Sequence, residues 1–79
     1  MTVIMLTGPG CFMCATMERL LGERVEAVLA SERPDLLALT GITTVPQYVI
    51  LDGERYVGSF AGMMPVSLWE LRVAAYKGV

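Results

Sequence analysis

Two cysteines, Cys11 and Cys14, stand in Gly10-Cys11-Phe12-Met13-Cys14 and are the only thiols of the chain. A thiolate is both the nucleophile of disulfide exchange and a ligand for soft metals, so this spacing admits three uses. As a structural bridge, a disulfide across so short a loop removes little chain entropy. As a metal site, one Cys-x-x-Cys supplies two of the four ligands that zinc takes, and the chain has no histidine. Only a homodimer pooling two pairs, or an external thiol, would complete that set. The third use is reversible redox exchange, a recognised role of Cys-x-x-Cys in a βαβ context. The lack of histidine also removes His-based acid–base chemistry and the Ser-His-Asp and Cys-His nucleophile pairs.

The elements that must position these thiols follow from hydrophobic spacing. Val3-Ile4-Met5-Leu6 is an apolar run ended by Gly8-Pro9-Gly10, the pattern of a buried strand and a breaker loop. From Cys11 the period turns helical, with Met17, Leu20, Leu21 and Val25 on one stripe. Glu18, Arg19, Glu23 and Arg24 form a solvated face. Cys11 is thus expected at the first turn of a helix, where unpaired N–H groups and the positive dipole end favour a thiolate. Its pKa should fall below the free value of about 8.5. Cys14, one turn in, should face the core and remain a thiol. Cys11 is therefore the candidate nucleophile and Cys14 the resolving thiol.

A second strand is expected within Val25–Ala30, then a helix capped by Ser31, with Pro34 in its first turn and Gly41 as its stop after Leu36, Leu37 and Leu39. Tyr48–Leu51 and Glu54–Val57 flank Asp52-Gly53, a hairpin signal in which both turn positions take positive φ. Beyond Gly58 to Gly62, Pro65 opens a last helix carrying Val66, Leu68, Trp69, Leu71, Val73 and Ala74. Tyr48, Met64 and Trp69 are read as packing residues. The order is β-α-β-α-β-β-α, an α/β fold with the first two strands parallel and the last two antiparallel. Helices cover the faces of the mixed four-stranded sheet.

Composition narrows the function classes. Seventy-nine residues make one domain, 1–79, and 54% hydrophobic residues with 18% charged mark a folding chain. The mean hydropathy is +0.57 and the isoelectric point about 4.9. A net charge of −2 offers no surface for a phosphate backbone, so no nucleic acid partner is expected. The longest uncharged stretch, Met1–Met17, contains Gly8-Pro9-Gly10 and three threonines and falls short of the ~20 apolar residues of a spanning helix. It also lacks the basic start of a secretory signal. A cytoplasmic protein without a membrane partner is the expectation.

Thr43-Thr44-Val45-Pro46-Gln47 sets a proline immediately before a strand. Together with Cys11-x-x-Cys14, the Asp52-Gly53 hairpin and Gly58, this run resembles the glutaredoxin branch of the thioredoxin superfamily, including NrdH-type redoxins. Pro34–Pro46 and Ala61-Gly62 are also similar to thioredoxins. The resemblance spans nearly the whole chain and implies a thioredoxin-like, glutaredoxin-sized fold. It further implies a dithiol–disulfide oxidoreductase that reduces protein disulfides, with ribonucleotide reductase a candidate substrate and thioredoxin reductase or glutathione the electron source. On this reading Pro46 is cis and turns the backbone of Val45, beside Thr44, toward an extended substrate or glutathione. Phe12 and Met13 form an apolar docking rim, and Gly58, Ser59 and Phe60 complete the substrate-binding set.

No bound cofactor is implied beyond the redox-active Cys11–Cys14 disulfide, no metal is required, glutathione is a candidate co-substrate, and the protein is expected to be a monomer. Four features depart from the family pattern. Gly8 stands where a lysine usually precedes the first cysteine, and Phe12-Met13 replace Pro-Tyr. Gly58-Ser59-Phe60-Ala61-Gly62 lacks the acid that grips the amino end of glutathione. The Trp-Ser-Gly-Phe-Arg-Pro signature of ribonucleotide reductase donors is also missing, with Phe60 as the candidate for its phenylalanine. With no cation nearby, a smaller pKa depression and a more reducing dithiol are expected. Two other classes remain: a metal or iron–sulfur carrier built as a thiol-bridged dimer, and a non-catalytic docking module.

Overall fold

Val3 and Met5 pack into one hydrophobic cluster while Ile4 and Leu6 pack into another, on opposite sides of the first strand. Burial on both faces is why the run is apolar throughout instead of alternating. In the computed structural model, which describes residues 1–77, this strand is β1 (Thr2–Thr7). There follow α1 (Phe12–Leu21), β2 (Glu26–Leu29), α2 (Pro34–Thr40), β3 (Gln47–Asp52), β4 (Arg55–Ala61) and α3 (Val66–Lys77). Short 3-10 turns, Gly22–Arg24 and Ala30–Glu32, flank β2. The sheet order is β2-β1-β3-β4, with β1 and β2 parallel and the other two pairs antiparallel. The element order and the mixed four-stranded sheet are those expected from the sequence.

One face is covered by α1 and α3. Met17, Leu21, Trp69 and Val73 pack there on Val3, Met5, Tyr48, Ile50 and Phe60. The other face carries α2, whose Leu36 meets Ile4, Leu6 and Val49. Tyr48 and Trp69 are buried and Met64 packs against the first cluster, as read from the sequence, whereas Met63 is 53% exposed. Leu20 is also turned outward: the buried stripe of α1 is Cys14, Met17 and Leu21, and Leu20 lies off it.

Three boundaries differ from expectation. Ser31 does not cap α2, because residues 30–32 are taken up by the 3-10 turn. Arg33 occupies the cap position, Pro34 starts the helix with its preset φ, and the N–H of Gly41 closes it on the carbonyl of Leu37. In the hairpin, Asp52 pairs with Arg55, so the central turn residues are Gly53 and Glu54. Only Gly53 has positive φ, at 64°, which is the II′ pattern with glycine first. Finally, β4 does not stop at Val57 but continues through Gly58 to Ala61, with a bulge where Ile50 pairs with Gly58 and Leu51 with Tyr56.

Candidate functional site

The chain leaves β1 through Gly8-Pro9-Gly10-Cys11. The N–H of Cys11 donates to the carbonyl of Gly8 at 3.3 Å, and Gly10 has φ +70°. Proline second and a positive-φ residue third define a type II turn, and glycine is the residue that takes that third place without strain. The turn delivers Cys11 to the N-cap of α1, with extended backbone at φ −82° and ψ 104°. Its carbonyl accepts the first helical bond from Ala15, and its Sγ accepts the N–H of Cys14 at 3.2 Å. A cap normally uses an oxygen here. With sulfur in that role, the donor aimed at Sγ and the dipole of α1 favour the thiolate once the bond is reduced.

Cys11 and Cys14 are joined in a disulfide, with Cα atoms 5.2 Å apart. Cys14 is only 3% exposed, while Cys11 is part-exposed. This asymmetry separates a sulfur that a partner can reach from one that it cannot. Phe12, 79% exposed, and Met13, 45% exposed, lie between them on the surface. An open groove of about 480 Å³ runs alongside, between Thr7-Gly8 and the first turns of α1, and among the described residues Glu18 is the one charged side chain lining it. A cavity of about 350 Å³ lined by Met1, Val3, Arg24 and Trp69 belongs instead to the start of β1, away from the disulfide.

The loop before β3 comes to the same end of the sheet, because Gln47 pairs with Leu6 at the end of β1. The Val45–Pro46 peptide is cis. Val45 sits against the turn: a Cβ on Gly8 would lie 3.2 Å from its Cγ2. Neither the N–H nor the carbonyl of Val45 has a hydrogen-bond partner among the described residues. Pro46 is buried, and its carbonyl accepts the N–H of Gly62 at 2.9 Å. Thr44 is exposed, its carbonyl bonded to the side chain of Gln47 at 3.2 Å. Tyr48, fully buried, donates its hydroxyl to the carbonyl of Gly62 at 3.0 Å, and burial pushes its pKa up to about 12. The two ends of β3 and β4 are thereby stitched together beside Met63.

Cys11, Phe12, Met13 and Cys14 thus form one helix turn, and Val45, between Thr44 and Pro46, is brought against the turn that precedes it. Gly58, Ser59 and Phe60 are not. They pair with Ile50, Val49 and Tyr48, which on their other side pair with Val3, Ile4 and Met5, so the three run along the sheet away from the disulfide end. Gly58 is three residues before Ala61, roughly 10 Å at the rise of a strand. Gly58 instead lies beneath Tyr76, Phe60 packs in the core, and Ser59 bonds the hydroxyl of Tyr56. Gly62 stands at the site end of β4 in their stead. Gln47 is a further residue that the sequence reading passed over, although it is the lone polar residue heading the apolar run Tyr48–Leu51.

Among the described residues, no group of three or more His, Cys, Asp or Glu side chains is placed to hold a metal, and no helix is long and apolar enough to cross a membrane. No protein-family model and no curated protein sequence matches the chain. Among solved structures it is similar to thioredoxin 1 from the thermophilic eubacterium Thermosipho africanus TCF52B. That likeness has a TM-score of 0.71 at 22% identity, over 99% of this chain and 96% of the other. A malarial protein is similar at a TM-score of 0.60 and 11% identity, over 95% of this chain and 94% of that one. The chain has a thioredoxin-like fold that carries a Cys-x-x-Cys disulfide at the end of β1 and the start of α1.

Proposed function

We propose that the protein is a small dithiol–disulfide oxidoreductase of the glutaredoxin or NrdH-redoxin kind that reduces disulfides in other proteins. One observation carries the reading: a part-exposed sulfur caps a helix beside an unpaired backbone edge at Val45, while its partner sulfur is buried. The reduced Cys11 thiolate attacks one sulfur of the substrate disulfide and expels the other as a thiolate, which takes up a proton. Cys14 then loses its proton and attacks the Cys11 sulfur of the mixed disulfide. The substrate leaves as a dithiol, and Cys11–Cys14 is left oxidised. Two electrons have passed to the substrate, whose two departing thiolates take one proton from Cys14 and one from water, and a reductant must return the electrons.

The surroundings favour a protein substrate over glutathione. Phe12 and Met13 give the disulfide an apolar rim, and Gly58–Gly62 offers no acid for the amino group of the tripeptide. We infer a monomer working in a reducing compartment such as the cytoplasm, fed by thioredoxin reductase, with ribonucleotide reductase the first substrate to try. NADPH oxidation with a protein disulfide, run in parallel with thioredoxin reductase and with glutathione plus glutathione reductase, tests this. Turnover with thioredoxin reductase is expected, Cys11→Ser should abolish it, and Cys14→Ser should trap a mixed disulfide on Cys11. Turnover with glutathione alone would overturn the choice of electron source, and silence in both systems would overturn the reading.

A further inference from the structure

Gln47 is the one buried polar or charged residue among those described, with no exposed surface. It heads β3 on the side that faces α2, since Val49, two residues on, packs there with Leu36. An amide in such a place is costly unless its bonds are made, and here they are. Its Nε2 donates to the carbonyls of Ile42 at 3.0 Å and Thr44 at 3.2 Å. Its Oε1 accepts the hydroxyl of Thr40 at 2.8 Å, and the same hydroxyl oxygen accepts the N–H of Ile42 at 3.1 Å. One side chain therefore gathers the polar groups of a loop that has no regular structure of its own.

The pattern of these bonds has a direction. They end at Thr44, the residue before Val45, and the next anchor is the carbonyl of Pro46 on Gly62, the residue after it. Val45 is bracketed on both sides, and against its side chain lies Gly8 of the cysteine turn. Its own N–H and carbonyl are left without partners among the described residues. A loop ordered during folding need not be ordered again when an extended peptide pairs with it.

We propose that Gln47 is a positioning residue, holding loop 41–46 so that the backbone edge of Val45 stays aligned beside the Cys11–Cys14 disulfide for a peptide substrate. The proposal rests on the disulfide-exchange reading and adds to it the residue that sets preference for a polypeptide over a small disulfide. Gln47 touches neither sulfur, so it acts on docking and not on thiol chemistry.

Gln47→Met keeps the length and apolar stem and deletes the three bonds its amide makes, to Thr40, Ile42 and Thr44, leaving that of Ile42 to the Thr40 hydroxyl. The reduced wild type and the variant are compared on a folded protein with an exposed disulfide and on bis(2-hydroxyethyl) disulfide, which has no peptide backbone. The expected result is a loss on the order of tenfold in kcat/KM for the protein, carried by KM, with the small disulfide reduced within about twofold of the wild-type rate. Backbone order parameters of Ile42–Val45 should fall below about 0.6 in the variant. Equal losses on both substrates, or no loss on the protein, would overturn the proposal, and so would unchanged order parameters whatever the activity. A wild-type chain inactive on both substrates would instead overturn the exchange reading beneath it. Should Gln47→Met fail to fold, Thr40→Val removes the hydroxyl that joins Oε1 to Ile42, and the same selective loss is expected at smaller size.

Discussion

Gly58→Ala should unseat the end of α3 without touching the disulfide. The backbone of Gly58 does not have positive φ, so any cost of alanine comes from what its Cβ would meet. That Cβ would stand 2.5 Å from Cδ1 and 3.0 Å from Cζ of Tyr76, where ordinary contact is 3.4–4 Å. The ring must therefore move by roughly 1 Å, against an overpacked surface. It is held by a hydrogen bond from its hydroxyl to the carbonyl of Ser59 at 3.1 Å and lies parallel to Phe60 at 7°, with centroids 6.4 Å apart. Tyr76 is one residue from the end of α3, so the cheapest response is release of the last turn. That forfeits about 1 kcal/mol of hydrogen bond and about 1 kcal/mol of half-buried ring contact, about 2 kcal/mol together. A domain of 79 residues has a total stability of roughly 4–12 kcal/mol, so the change is large. Urea unfolding should show the midpoint lowered by about 2 M at a slope of about 1 kcal/mol/M. In a Tyr76→Ala background the same substitution should be neutral, or stabilising by about 0.5 kcal/mol as alanine replaces glycine in a strand. A neutral Gly58→Ala, or an equal loss in both backgrounds, would refute the ring as the cause. Intact stability with lost disulfide exchange would return Gly58 to the site.

Two further substitutions probe the site itself. Phe12→Ser should leave stability within about 0.5 kcal/mol, because the ring is 79% exposed. It should weaken docking of a protein disulfide, with about 100 Å² of lost apolar contact setting a ceiling near 2.5 kcal/mol on the change read from KM. Tyr48→Phe should cost about 1 kcal/mol at neutral pH by leaving the carbonyl of Gly62 unpaired. The pH dependence has a definite sign: the folded pKa of Tyr48, about 12, lies above the free value of ~10. Its contribution is therefore complete below pH 10 and lost as pH rises toward 12. Denaturation midpoints of the wild type and Tyr48→Phe should converge over that interval, and parallel curves would contradict the burial argument.

The features legible in the sequence alone are those governed by neighbours within a turn or two. The run Val3–Leu6, the break at Gly8-Pro9-Gly10 and the stripe Met17–Leu21 carry their own periodicity, and they placed Cys11 at a helix start. Pro34 and Gly41 bounded α2 for the same reason, while Ser31 misled because the residues after β2 could close a 3-10 turn first. The strand expected over Glu54–Val57 runs on through Gly58, where the space a side chain would need is filled by a ring 18 residues further on. Gly53 was rightly a turn residue, but the pairing of Asp52 with Arg55 moved the turn by one position.

The chemistry was legible in the same way and to the same limit. The thiol pair, its place at a helix N-terminus and the contrast between an outer and an inner sulfur follow from four consecutive positions and the geometry of one helical turn. Which residues surround that pair did not follow, because the other half of the site arrives from β3 and β4 through sheet register. Register carried Gly58, Ser59 and Phe60 along the sheet away from the disulfide end and set Gly62 on the carbonyl of Pro46, and the amide of Gln47 is turned into the loop behind Val45. A hydrogen bond between residues near in space but set by strand pairing leaves no periodic trace along the chain. Local spacing therefore determined where the reactive sulfurs stand, and only the packed sheet decided what they face.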